Sequence, residues 1–189
     1  MNIQRLNVIN AEGSGNLLPH NIGGYITRLE NEGAEAIVIL TDLDEDICVN
    51  KTKERISARK QDIVVIAVKK IEAWFLACNP AMQNLLADPA FNFPSPENEN
   101  APFETINNLL INHTGRGVGK KRAGKIRLVT RLLEKGLDLT QAAAHPNCPS
   151  VNYLVHKLTL LGGGQQQKAL PKQSSASTEA EAGPDGSKG

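Results

Sequence analysis

Apolar positions concentrate in two short unbroken runs, Ala36–Leu40 and Ile63–Val68, each bounded by polar loops. Runs of aliphatic, largely β-branched residues of this length predict strands buried on both faces, the pattern of a parallel sheet. Elsewhere the period is helical. Leu17, Ile22, Ile26 and Leu29 predict a helix capped by Asn16 and stopped at Asn31-Glu32-Gly33. Val49 and Ile56 mark a second over Asn50–Lys60, and Leu6–Asn10 reads as an additional first strand followed by an Ala11–Asn16 loop. Strand and helix alternating in this way predict βαβ units with right-handed crossovers.

After Val68 the apolar spacing turns helical from Ile71 to Leu76, is interrupted at Pro80, and resumes with Met82, Leu85 and Leu86. Trp74 is expected to pack in the core. Residues 88–102 are rich in Pro, Asn and Glu and are expected to form a long surface loop. Helical patterns follow over Phe103–His113, Gly119–Lys135, Asp138–His145 and Ser150–Leu161, with Asp138 and Ser150 as N-caps. From Gly162 onward apolar periodicity is lost, which predicts a disordered tail. The expected fold class is α/β, a mostly parallel sheet with flanking helices. It divides into a core over 1–87, the loop over 88–102, a helical C-terminal part over 103–161 and a tail over 162–189.

Composition narrows the function. A chain of 189 residues with formal net charge +1 has no global attraction for polyanions, so any phosphate site must be local. The odd set Cys48, Cys78 and Cys148 lacks metal-ligand spacing and predicts neither a disulfide framework nor a zinc site, as in the cytoplasm. No signal peptide and no apolar run near the ~20 residues of a membrane span is visible, so no membrane partner is expected. Sparse aromatics argue against a stacking platform for single strands.

The chemistry gathers where the first apolar run stops in Asp42, Asp44, Glu45 and Asp46. In open α/β sheets ligands bind at the carboxyl ends of strands. Asp42 and Asp44, two apart, project to one side of an extended chain and repel each other unless a cation lies between them. A hard divalent ion, Mg²⁺ or Mn²⁺, meets that need; a solvated loop or a helix cap is the plain alternative. Glu72, just past the second run, could reach the same crevice, with Lys69 and Lys70 beside it for phosphate. Equally, Glu72 would suit a helix N-terminus. The glycine loops are weaker signals. Glu12-Gly13-Ser14-Gly15 reads as a turn, and Gly115–Lys121 lacks the spacing and the hydroxyl residue of a P-loop. The latter does open a basic helix carrying Arg116, Lys120, Lys121, Arg122, Lys125, Arg127, Arg131 and Lys135 over a stripe of Ile126, Val129, Leu132 and Leu133. A flexible glycine arm leading into that helix would suit a phosphate backbone, and a solvated helix face is the alternative. The four histidines show no paired spacing.

Together, the acid-tipped strand Ile37–Asp46 and the strand-then-Glu stretch Ile63–Trp74 resemble the Toprim fold. Ile66-Ala67-Val68-Lys69-Lys70-Ile71-Glu72-Ala73-Trp74 further resembles a Toprim-related bacterial family of unknown function, akin to phage-defence nucleases, and the similarity continues through Gly119–Leu158. The resemblance implies divalent-metal-dependent phosphodiester hydrolysis. Asp42 and Asp44 would be metal ligands, Glu72 an additional catalytic carboxylate, and Lys69, Lys70, Lys120, Lys121 and Lys125 contacts to nucleic acid. Counted against the family, this chain is expected to begin at the second strand, without the first strand–helix unit and its Glu-Gly motif. Either the chain starts late, from a truncated or mis-started reading frame, or Glu12 substitutes, or catalysis is lost and a degenerate module binds nucleic acid, a partner protein or a second copy.

Overall fold

The structure, a computed structural model, describes residues 7–163 except Glu45, Ile47, Ser57, Ala58 and Lys60, together with the backbone but not the side chain of Lys121. Two parallel strands, β1 (Val38–Asp42) and β2 (Ile63–Ala67), pair in the register Val38↔Ile63 through Asp42↔Ala67. Helix α1 (Pro19–Asn31) precedes them and α2 (Val49–Ile56) crosses between them. Six helices follow: α3 (Glu72–Ala77), α4 (Asn79–Leu86), α5 (Pro102–Thr114), α6 (Lys121–Glu134), α7 (Leu139–Ala143) and α8 (Pro149–Gly163). The α/β class and the parallel β1–α2–β2 crossover are as the apolar runs predict. Among the described residues no helix is long and apolar enough to cross a membrane.

Strand β2 divides two cores because successive side chains leave a strand on opposite faces. Val65 and Ala67 enter the larger core, built from α3 to α8. Ile66 enters the smaller one, where Leu17, Ile22 and Ile26 meet Ile37, Ile39, Leu43 and Ile56. By the same alternation Val38 packs against the larger core and Ile39 lies in the smaller, so Asp42 points to the side of the large helical layer.

Four local expectations are corrected. Residues 7–10 pair with no strand among the described residues (Leu6 lies outside them). Val8 is 80% exposed, Asn7 donates to Glu32 Oε2 at 3.0 Å, and Asn10 Oδ1 accepts from Glu12 N at 2.9 Å. Asn16 does not cap α1. Its side chain closes the preceding loop on Ala11 O at 2.7 Å, and Pro19, with its preset φ, opens the helix instead. The stop at Gly33 holds: it takes φ 87°, and Ala34 N reaches Leu29 O at 3.0 Å, a Schellman closure. Helix α2 is described over Val49–Ile56, and Arg59 lies outside it, so it does not run unbroken to the Lys60 expected; Ser57, Ala58 and Lys60 are outside the described residues. Gly162 and Gly163 still belong to α8, and the tail expected beyond them falls on 164–189, outside the described residues.

The stretch 88–102 is largely irregular, with Ala90, Asn92, Pro94 and Asn98 exposed, but it does not lie wholly at the surface. It buries Phe91, and its short 3-10 turn at Pro96–Asn98 buries Glu97. Glu97 Oε1 accepts from Ser150 N at 2.8 Å. Ser150 therefore lies inside the first turn of α8 rather than capping it, and its hydroxyl accepts from Trp74 Nε1 at 2.7 Å and from Val68 N at 3.4 Å. This chain of bonds joins α3, β2, α8 and the 88–102 stretch inside the core, where each polar group needs a partner. Beside it, burial first, and then the charge and hydrogen bond of Glu97, push the Cys148 thiol well above its ordinary range. Asp138 caps α7 as predicted, Oδ1 accepting from Thr140 N at 2.8 Å.

Ser150→Ala leaves the buried Trp74 N–H without its acceptor, so it should destabilise the fold by about 1–3 kcal/mol. Urea unfolding followed by circular dichroism checks this, and a loss below about 0.5 kcal/mol would show that the bond contributes little.

Candidate carboxylate site

Both strands end in left-handed turns, with Asp44 at φ 49° and Lys69 at φ 60°. The turns are tied together: Leu43 N donates to Ala67 O at 2.8 Å and Asp44 N to Lys69 O at 3.0 Å. Extended alternation thus stops at Leu43, and Asp44 reaches the vicinity of Asp42 through the turn rather than along a strand. Asp42 is half-buried, and its Oδ1 accepts from Ile71 N, at the start of α3, at 2.8 Å. Ala67, its register partner, keeps a small side chain beside it.

Glu72 opens α3 with only 4% of its surface exposed. Its Oε1 receives Lys125 Nζ from α6 at 2.8 Å. Its Oε2 is buried and has no partner among the described residues. Asp42 feels the same neighbourhood. Burial pushes its carboxyl above the ordinary 3.8, the Ile71 N–H works against that, and the charges of Glu72 and Asp44 push it further up. On Lys125, burial alone would lower the ammonium pKa, but the hydrogen bond and charge of Glu72, with Asp42 adding, hold it above its usual range. Asp42, Asp44, Glu72 and Lys125 therefore form one electrostatic group at the carboxyl ends of both strands.

The acid cluster of the sequence divides here. Asp46 turns away to α2, where Oδ2 accepts from Thr52 Oγ1 at 2.8 Å and from Arg55 Nη2 at 2.7 Å. Those bonds, the Thr52 one foremost, hold its carboxyl below its ordinary value. Glu45 lies outside the described residues. Glu12, in a turn at φ 60°, is exposed and is not among the charges that act on Asp42.

The lysines divide too. Lys69 and Lys70 lie in the chain between β2 and Glu72, are half-buried and make no ion pair among the described residues; like Glu12, they are not among the charges that act on Asp42. Lys120 is exposed at the start of α6, and the side chain of Lys121 lies outside the described set. Lys125, expected on nucleic acid, is instead on Glu72. Sequence spacing could not anticipate that pairing, since Glu72 and Lys125 meet only because α3 and α6 are built into one core, α6 being seated on α4. Nor is the glycine stretch before α6 a free arm. Val118 is buried, its N donates to Asn107 Oδ1 at 2.8 Å, and its O accepts from Arg127 Nε at 2.8 Å. Gly124 makes this possible, because a Cβ there would stand 2.5 Å from Gly119 O. The buried stripe of α6 is Gly124, Leu128 and Leu132, while Ile126 and Leu133 are 58% and 61% exposed.

Among the described residues no group of three or more His, Cys, Asp or Glu donors is assembled to hold a metal ion. The carboxylates present nevertheless suit a hard cation: oxygen donors, one of them buried without a partner among the described residues, and an Asp42 carboxyl whose charge is disfavoured by burial first and then by Glu72 and Asp44. Such binding would require Asp42, Asp44 and Glu72 to turn toward one ion.

A carboxyl with a raised folded pKa holds its proton more readily in the folded chain than in the unfolded one. The associated cost is absent below 3.8, grows as pH rises through the raised value and is full above it. Asp42→Asn keeps an acceptor for Ile71 N and removes the charge, so it should stabilise the protein by about 1 kcal/mol at neutral pH. Thermal melts of both proteins from pH 7 down to pH ~3.5 test this: the gap should narrow with acidification, and a gap independent of pH would contradict the assignment.

Residues 7–159 match a family described as Domain of unknown function (DUF4276). No curated protein and no solved structure matches the chain.

Proposed function

The chain therefore belongs to the DUF4276 family, and we propose that its carboxylate site hydrolyses phosphodiester bonds of nucleic acid with the help of a divalent metal. One observation carries this reading: two acids from neighbouring strand ends, Asp42 and Glu72, share a poorly hydrated site in which Glu72 Oε2 has no partner among the described residues. Burying a carboxylate oxygen without a partner is costly, and proteins tolerate it mainly where function requires it. The resemblance to the Toprim fold at these same residues supports the assignment.

Asp42 and Glu72 would hold Mg²⁺ or Mn²⁺, with Asp44 at the exposed rim as the third carboxylate. Bound there, the ion would supply Lewis acidity toward a phosphoryl oxygen and toward water. Lys69 and Lys70, which make no ion pair among the described residues, would bind the phosphate and orient it for in-line attack. Asp44 would accept the proton as water adds to phosphorus and return it to the leaving oxygen as the P–O ester bond breaks, leaving a phosphomonoester and a free hydroxyl. Lys120 and Lys121 at the start of α6 would track the neighbouring backbone. Such an enzyme would work in the cytoplasm.

A second reading, a module that binds nucleic acid or a protein partner without turnover, is favoured by Glu12. This residue does not join the charges around Asp42, so the acid set lacks the Glu-Gly contribution expected from the resemblance.

The test is cleavage of single-stranded DNA, duplex DNA and RNA with Mg²⁺, Mn²⁺ or EDTA. Asp44→Asn should lower metal-dependent cutting by about a hundredfold or more while leaving the melting curve near that of wild type. Folded protein that binds nucleic acid but cuts none of the three substrates would favour the binding module.

A further inference from the structure

Lys125 stands out among the basic residues of α6 because it serves the carboxylates and not the solvent. Its ammonium lies 2.8 Å from Glu72 Oε1, yet the lysine side chain is 49% exposed where that of Glu72 is 5%. The acid is fixed and buried, and the base reaches it from outside. The pairing is also incomplete, since Glu72 Oε2 is buried and unpartnered, and the Lys125 charge acts on Asp42 as well. One ammonium thus balances a site that holds more negative charge and more acceptor oxygens than it can satisfy. Around it, Gly124 and the Val118 loop fix the start of α6, so the helix need not shift for the lysine to leave. A flexible four-carbon side chain with about half of its surface in water can swing away by rotation about its own bonds alone.

We propose that Lys125 is the resident cation of the carboxylate site, and that a divalent metal enters by displacing its ammonium from Glu72. The proposal rests on the metal-dependent reading above and adds the order of events at that site. Glu72 and Asp42 would hold the ion, which carries two charges and accepts several oxygen ligands, where the ammonium is held by one oxygen. The freed ammonium then lies on the same helix as Lys120, available to a phosphate. Metal binding and polynucleotide binding would accordingly favour each other, as linked equilibria must.

Two measurements on the full chain test it, with Mn²⁺ as the probe. In the first, free Mn²⁺ is followed by electron paramagnetic resonance during titration of wild type, Lys125→Gln and Glu72→Gln. Displacement predicts that Lys125→Gln binds Mn²⁺ about tenfold more tightly than wild type and that Glu72→Gln binds poorly. Equal affinity of wild type and Lys125→Gln overturns displacement and leaves the metal site standing. Absence of binding in both sinks the metal site and the displacement together.

The second needs no variant, which matters if Lys125→Gln fails to fold with Glu72 uncompensated. Acetylation of lysines by an activated ester is read by mass spectrometry with and without Mn²⁺, using exposed Lys135 as the internal reference. The rate at Lys125 should rise at least about threefold when the metal binds, because the ion pair that shields it is broken. An unchanged or slower rate, with binding verified, means that metal and ammonium do not compete.

Discussion

The hydrogen bond from the Trp74 indole to the Ser150 hydroxyl, 2.7 Å long in the interior, is the contact on which the arrangement of the molecule depends. Two strands cannot hide their own apolar faces, so β2 needs a layer on each side. On one side α1 and α2 suffice. On the other, six helices must be held against a strand only five residues long. Ser150 does this from three directions, by the indole, by the backbone of Val68 and, through its own amide, by Glu97. Because Trp74 is two residues beyond Glu72, the same fastening fixes where α3 begins and hence where its buried carboxylate lies.

That position sets fold against chemistry. A charged Glu72 in so dry a place would be costly alone, and the α6 lysine offsets part of the cost. Asp42 remains in a field that disfavours its charge. Asp46, four residues later, shows the alternative: with Thr52 and Arg55 as partners it is a satisfied structural acid whose ionisation stabilises the fold. Neighbouring acids in one short segment thus take opposite roles, and their partners decide which.

Much of this was legible in the pattern of residues, and the exceptions have physical causes. The strands were visible because β-branched runs buried on both faces have few other uses. The Asp138 cap and the Gly33 stop were visible because they rest on bonds within a few residues. That Asp42 and Glu72 lie near one another was legible from their place at strand ends, which the βαβ topology brings together. Long-range pairings were not accessible: Ser150 looks like a cap until Trp74 and Glu97 arrive, and Lys125 looks like one of many exposed bases until α6 is seated in the same core as α3. The stripe of α6 misled because Gly124, which packs through the absence of a side chain, carries no apolar signal. The polar composition of 88–102 misled for the converse reason, since Phe91 and Glu97 do their packing from a segment rich in proline and asparagine.

The chain has a single tryptophan, and it is the one at the centre of this network. Its emission therefore reports one environment without labelling or subtraction. An indole that is fully enclosed and hydrogen-bonded emits at shorter wavelength than one in water. Because the ring is joined through Ser150 to α8 and by two residues to Glu72, a change at the carboxylates and a loosening of the helical layer both reach the same fluorophore. The protein carries its own optical gauge of whether its two halves remain engaged.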